Sequence, residues 1–251
     1  MTNTQKPQSH KKIIIALSIC MGMLIVLQLI GWYLQRKSYS ETIVDIDPAY
    51  TPYPGEITVE KPVIYLYPET SQDVTISLNI DGEFLALDPE FNIPNGWKVT
   101  TTPDGMITYN DKQYPYLFWE ADLSFDADMY SGFCIKGSET KAFLLNTLPE
   151  LGLNEQEIAD YIEYWLPQME NNAYNLISFQ GQNYTDAAEL IIDPAPDTII
   201  RVCMVYVPCD HYIKISPQRL TAAPKRTGFT IVEWGGAQLD DIYQIETDII
   251  K

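Results

Sequence analysis

The chain has 251 residues, with 16 Lys and Arg against 34 Asp and Glu, a formal net charge of −18. A surface of that sign repels phosphate backbones and anionic headgroups, which excludes nucleic acid as a partner and favours cations, basic partners or neutral polymers. The charge is also unevenly placed: residues 1–38 hold five basic side chains and no acidic one, leaving 11 basic and 34 acidic, or −23, for the rest.

The first element in chain order is an uncharged apolar run over residues 13–34. At 1.5 Å per residue its 22 positions span a hydrocarbon core of about 30 Å, which predicts a membrane helix. A cleaved signal has an apolar region of only about 7–15 residues and a small-residue cleavage site, and none is present. Leu17-Ser18-Ile19-Cys20 is similar to a lipobox, but Ile19 is not small and the apolar run continues past Cys20. Lys6, Lys11 and Lys12 before the run outnumber Arg36 and Lys37 after it, so the N-terminus is expected in the cytoplasm and the acidic remainder outside the cell membrane. The expected order is a basic tail (1–12), an uncleaved single-pass anchor (13–34), a proline-bearing stalk (35–60) and one extracytoplasmic domain (61–251).

Strand patterns fill the first part of the domain. Residues 63–67 are continuously apolar up to Pro68, and Val74, Ile76, Leu78 and Ile80 alternate with polar residues. Asp81-Gly82 then predicts a two-residue hairpin into Phe84, Leu85 and Leu87, and Pro103-Asp104-Gly105 predicts a second hairpin between residues 97–100 and 106–109. Residues 114–120, rich in aromatics, form a further strand.

Two helices follow. Residues 139–148 place Phe143, Leu144, Leu145 and Leu148 on one side, with Ser138 as N-cap. The next begins at Asn154, with Glu157 completing a capping box and Leu153 and Ile158 a hydrophobic staple, and Pro167 is expected to stop it. Its Tyr161 and Trp165 are read as core. Strands resume at residues 174–179, 188–192, 198–207, 212–215 and 229–234, and the segment 239–250 has no decided structure. Strands, then helices, then strands predict an α+β domain with a mostly antiparallel sheet and two central helices.

Lys61-Pro62-Val63-Ile64-Tyr65-Leu66-Tyr67-Pro68, Tyr116-Leu117-Phe118-Trp119-Glu120, Gly132-Phe133, Tyr164-Trp165-Leu166-Pro167, Arg201-Val202, and Arg226-Thr227-Gly228-Phe229 through Glu233-Trp234-Gly235-Gly236 carry a resemblance. Over about residues 61–236 the chain resembles an uncharacterised family of membrane-anchored bacterial surface or envelope proteins. The resemblance implies a single module and brings no assigned activity.

Glu120 and Glu233 stand beside tryptophans in apolar strands, where an unpartnered carboxylate costs several kcal/mol. One reading makes them, with Asp122 as a third carboxylate, the acid and base or nucleophile of a glycoside-type hydrolase. The other makes them structural, paired with Arg201, which interrupts an apolar strand, or Arg226, which precedes the last one. Gly235-Gly236 is read as a tight corner. Cys134, Cys203 and Cys209 are an odd number outside the anchor, which favours buried thiols over a disulfide framework, and a thiol–His211 dyad is a minor alternative. No cofactor motif is present; calcium on Asp126 and Asp128, or Asp45 and Asp47, is the metal the acidity suggests, although neither pair has an EF-hand loop and solvated charge is the preferred reading. The favoured function is a binding module at the cell envelope, recognising a protein or wall polymer; the alternative is a carboxylate-based hydrolase acting on envelope glycans.

Overall fold

The structure, a computed structural model, describes residues 56–239 and the single helical residue Gln28. The expected tail, the membrane helix apart from Gln28, Cys20, Asp45, Asp47 and all of the segment 239–250 except Leu239 lie outside the described residues. Among the described residues no helix is long and apolar enough to cross a membrane.

Thirteen strands and three α-helices are described, and the strands form two sheets. The larger holds eight: β1 (Glu56–Tyr67), β3 (Gly82–Asp88), β7 (Leu117–Ser124), β8 (Ser131–Lys136), β9 (Tyr174–Gln180), β11 (Thr198–Cys209), β12 (Ser216–Pro217) and β13 (Thr230–Gln238), in the order β12-β8-β9-β11-β13-β1-β7-β3. The smaller holds β2 (Gln72–Ile80), β4 (Gly96–Thr101), β5 (Ile107–Tyr109), β6 (Lys112–Tyr114) and β10 (Ala188–Asp193), in the order β10-β2-β4-β5-β6. The expected α+β domain is therefore corrected to a mostly-β fold built on two sheets. The large sheet is also mixed, since β11 pairs with β13, and β12 with β8, in parallel.

Each face of the large sheet has its own core. Ile64, Leu66, Leu117, Trp119, Cys203 and Ile231 meet Val74, Ile76, Leu78, Trp97 and Val99 of the small sheet. On the opposite face Val63, Tyr65, Met204, Tyr206 and Trp234 pack against Leu144, Tyr161 and Trp165 from α1 (Thr140–Thr147) and α2 (Glu155–Met169). The sequence pattern missed the second layer because Asp81-Gly82 is not a hairpin. β2 pairs with β4 and β10, whereas β3 pairs with β7, so the dipeptide is the corner at which the chain changes sheets. Gly82 is needed there for close approach: a Cβ would stand 1.8 Å from the Asp122 carbonyl oxygen.

The other differences are local. The Pro103-Asp104-Gly105 turn does join antiparallel β4 and β5, with Gly105 at φ 84°. Helix α1 has no side-chain cap and follows a 3-10 turn at Gly137–Glu139. Helix α2 has the Asn154–Glu157 capping box but runs through Pro167 to Met169; in the last turn a proline removes one N–H and leaves the closing Glu170-to-Leu166 bond intact. The strand expected at 212–215 is replaced by an isolated bridge and the two-residue β12, and α3 (Gln182–Ala187) had no counterpart in the pattern.

β1 begins at Glu56, inside the segment read as stalk. It also contains a bulge. Val59 pairs with Ala121 and Val63 with Phe118, so four steps on β1 match three on β7. The extra residue reverses which residues face the small sheet, from Ile57 and Val59 before the bulge to Ile64 and Leu66 after it. The bulge residue Lys61 has φ 57°, a left-handed conformation that is strained for a side chain of this kind.

Candidate functional site

Period-2 alternation decides where the candidate carboxylates go. On β7, Leu117, Trp119, Ala121 and Leu123 face the small sheet, while Phe118, Glu120 and Asp122 face the helix side. On β13, Trp234 faces the helices and Glu233 the small sheet, where Trp119 reaches it. Glu120 and Glu233 thus project from opposite faces of one sheet and cannot flank the same bond. A two-carboxylate hydrolase built on this pair is not formed.

Glu233 is a fully buried structural acceptor. Its carboxylate takes Arg201 Nε at 2.6 Å, the Tyr184 hydroxyl at 3.1 Å and Trp119 Nε1 at 3.2 Å. Arg201 is itself only 9% exposed at the side chain; it donates Nη1 to the Ala188 carbonyl and stacks over Tyr184. Burial opposes the Arg201 charge, but the Glu233 carboxylate and neighbouring Tyr184 outweigh it and hold the guanidinium above its ordinary pKa. Arg226 has a different partner from either candidate glutamate: it forms a fork on the buried Glu157 carboxylate, bonds the Gly152 carbonyl, and lies over Tyr67. Glu157 therefore serves both the helix cap and the ion pair.

Among the described residues neither Arg201 nor Arg226 pairs with Glu120. Partial burial raises its pKa, Glu60 and Asp122 add to the rise, and Lys61 opposes it. Asp122 accepts Thr58 Oγ1 at 2.6 Å. Around Glu120 lies a group of residues that no single motif announced. The Lys61 ammonium stands 5.0 Å from the Phe118 ring centre, 5.1 Å from Tyr116 and 5.9 Å from Tyr164, the geometry of an aromatic cage around a cation. Tyr164 donates its hydroxyl to Glu60, and Tyr65 donates to Asp160. Burial and these carboxylates drive both phenols well above their ordinary pKa, so they remain protonated donors.

Beside this cage is a cleft of about 310 Å³ lined by Lys61, Tyr116, Asp160, Glu163, Tyr164 and Trp234. The β1 bulge supplies Lys61, the turn before β7 supplies Tyr116, α2 supplies the two acids and Tyr164, and β13 supplies Trp234. Gly235 and Gly236 are not a corner but the middle of β13. Side chains there would collide, Gly235 with Pro62 of the bulge at 2.9 Å and Gly236 with the Met204 carbonyl oxygen at 2.4 Å and Trp165 at 2.9 Å. The Trp234 indole N–H is buried beside the Tyr65 hydroxyl, whose pKa it lowers against the larger effect of burial. Pro62 within a central strand was the available signal for the bulge, since proline is otherwise confined to strand edges, starts and bulges.

The remaining candidates do not converge. Asp126 is exposed; the Asp128 carboxylate accepts the Tyr130 N–H, and its backbone bonds Gln180 and Ser178. Among the described residues no group of three or more His, Cys, Asp and Glu is placed to hold a metal ion. Cys134, Cys203 and Cys209 are free thiols. Burial raises all three, Cys209 up to about 12, and His211 is exposed.

No family model and no solved structure matches the chain. A relative described as an uncharacterized protein in the bglA 3′ region of Butyrivibrio fibrisolvens is 49% identical over 63 residues. That stretch is 25% of this chain and 66% of the relative, so the chain spans under two thirds of the relative's length.

Proposed function

We propose that the chain is a binding module of the cell envelope, anchored in the membrane through residues 13–34, that holds an envelope component in the Lys61 cleft. The observation that carries this reading is the strained Lys61 bulge. Backbone strain of order 1–3 kcal/mol persists where the surrounding structure over-determines it, as it does at ligand clamps. Here the strain sets an ammonium among three aromatic rings at the wall of a cleft. The net charge of −18 and the uncharged run at 13–34 support the membrane and envelope placement. A module of this kind needs recognition groups and no reacting pair, in keeping with the separation of Glu120 from Glu233.

The test uses the full chain reconstituted in liposomes. Co-sedimentation with isolated bacterial envelope material is expected for the wild type and is expected to fall for Tyr116→Ala and Glu163→Gln. Equal sedimentation of all three chains, or none for the wild type, overturns the reading. Protease added outside intact cells is expected to remove the domain and spare the anchor.

A further inference from the structure

We infer that residues 245–249 of one copy of this chain add as a strand to the open edge of β11 in a second copy. This interface is separate from the Lys61 cleft and goes beyond the function proposed above.

The acceptor is a gap in the large sheet. β11 and β13 pair in parallel over residues 198–206, but antiparallel β9 accompanies β11 only from Cys203 onward, where Gln180 is its last partner. The chain then turns away at Gly181 into α3. Thr198 donates its N–H to the Phe229 carbonyl, so alternate residues from Thr198 bond β13. The N–H and C=O of Ile199 and Arg201 therefore turn to the other side, past the end of β9, and no strand among the described residues receives them. Such an edge is a template for another strand. Beside it lies a slot of about 250 Å³, walled by Leu151, Phe179 and residues 221–224 of the strap that leads to β13. The strap is pinned, because the Gln218 carboxamide bonds both backbone groups of Phe179 and Ala223 N–H bonds the Glu150 carbonyl. Ile199 is left 42% exposed at this edge.

Charge and pattern name the occupant. Residues 211–229 carry four basic side chains and no acidic one, in a chain of net charge −18. Arg226 is taken by Glu157, whereas Arg219 and Lys225 are exposed on the strap. A slot rimmed in this way favours an acidic strand. Residues 240–251 hold four acidic side chains and one basic. Within them the β-branched Ile245, Thr247 and Ile249 alternate with Glu246 and Asp248, the period-2 pattern of a strand with one apolar face. Set beside β11, that face meets Leu151, Ile200, Val202 and Ala223 on the helix side. The chain's own slot is out of reach of a strand that begins at Ile245. Leu239 bonds the Tyr206 carbonyl, and from Tyr206 to Ile200 is about 20 Å along β11, through an interior packed on both faces. The steps from Leu239 to Ile245 cover at most about 22 Å, which leaves no length for a path around either layer. A second copy is free of that limit.

The experiment is sedimentation velocity of the full chain in detergent, beside a chain ending at Leu239. The full chain is expected to associate as its concentration rises and the shortened one to stay monomeric. A fluorescein-labelled peptide of residues 243–251 is then titrated into the shortened chain and followed by anisotropy. Binding is expected, with at least about tenfold loss when the peptide is N-methylated at Glu246 and Thr247, which removes ladder donors and keeps every side chain and charge. The same loss is expected for Ala222→Trp on the slot wall, its melting curve showing the fold intact. Absence of peptide binding, equal binding of the N-methylated peptide or of one with the same residues in scrambled order, or full binding to Ala222→Trp overturns the inference. A full chain that stays monomeric while the shortened one binds the peptide places the segment in its own slot and overturns the second copy as occupant.

Discussion

Replacing Glu233 with Gln is expected to destabilise the domain strongly. The carboxylate accepts three donors, Arg201 Nε, Tyr184 hydroxyl and Trp119 Nε1, at 2.6, 3.1 and 3.2 Å. An amide offers one acceptor oxygen and an NH2 that points a donor at donors, so at least one of the three loses its partner. Arg201 meanwhile keeps a buried charge with little beyond the Ala188 carbonyl to answer it. Breaking a buried pair by removing one partner costs about 3–5 kcal/mol. At about 2–4 °C per kcal/mol for a domain of 150–250 residues, the melting temperature falls by roughly 6–20 °C. Thermal unfolding followed by circular dichroism measures this directly. The double variant Arg201→Leu/Glu233→Leu removes both charges together and is expected to recover much of the loss, because apolar replacement of a whole buried pair is often close to neutral. A Glu233→Gln chain that melts within about 2 °C of wild type, less than 1 kcal/mol on the same scale, refutes the claim that Glu233 is a structural acceptor on which the fold depends.

Glu120→Gln is expected to leave the melting temperature unchanged or raise it at neutral pH. The Glu120 pKa is raised by burial, Glu60 and Asp122, so the folded chain binds this proton more tightly than the unfolded one. The stability it contributes is present at low pH and lost as pH rises from its ordinary value of 4.5 through the raised one, and the Gln variant is expected to show less of that loss in unfolding curves across the window. Lys61→Gly relieves left-handed strain of about 1–2 kcal/mol but adds unfolded-state entropy of about 0.5–1 and loses a cage contact of about 0.5–1 kcal/mol. Its melting temperature is therefore expected to stay near wild type while envelope co-sedimentation falls; a large drop in stability contradicts this balance. Iodoacetamide is expected to alkylate the native thiols slowly and Cys134 first, since Cys203 and Cys209 are buried, and rapid labelling of Cys203 in a mass spectrum contradicts the packing. Millimolar calcium is expected to leave the melting temperature unchanged, because the Asp128 carboxylate already accepts the Tyr130 N–H.

Much of the local structure was legible. The capping box of α2, the alternation in β2, the Pro103-Asp104-Gly105 turn and the core positions of Tyr161 and Trp165 follow from short-range patterns. The layering was not. Asp81-Gly82 carries the same letters for a hairpin and for a corner between sheets, and only the partners of β2 and β3 separate the two. Glu233 and Arg201 could be nominated as partners because each is charged in an apolar strand, but the face of each carboxylate depends on pairing register. The cleft was missed for a related reason. Lys61, Tyr116, Asp160 and Trp234 are far apart in sequence, and the bulge that gathers them reads as the loose end of a stalk unless Pro62 is taken as a strand irregularity.

The place of β1 in the large sheet gives the domain a mechanical character. β1 is the strand through which the chain enters from the N-terminal side, and it is not at the rim: β13 holds it on one side and β7 on the other, both antiparallel. Tension applied from that side runs along the strand and loads both ladders of hydrogen bonds in shear, many at once, where an edge strand peels open one bond at a time. Pulling from that end therefore meets the resistance of two ladders together, and unfolding from the N-terminal side begins only when both give way.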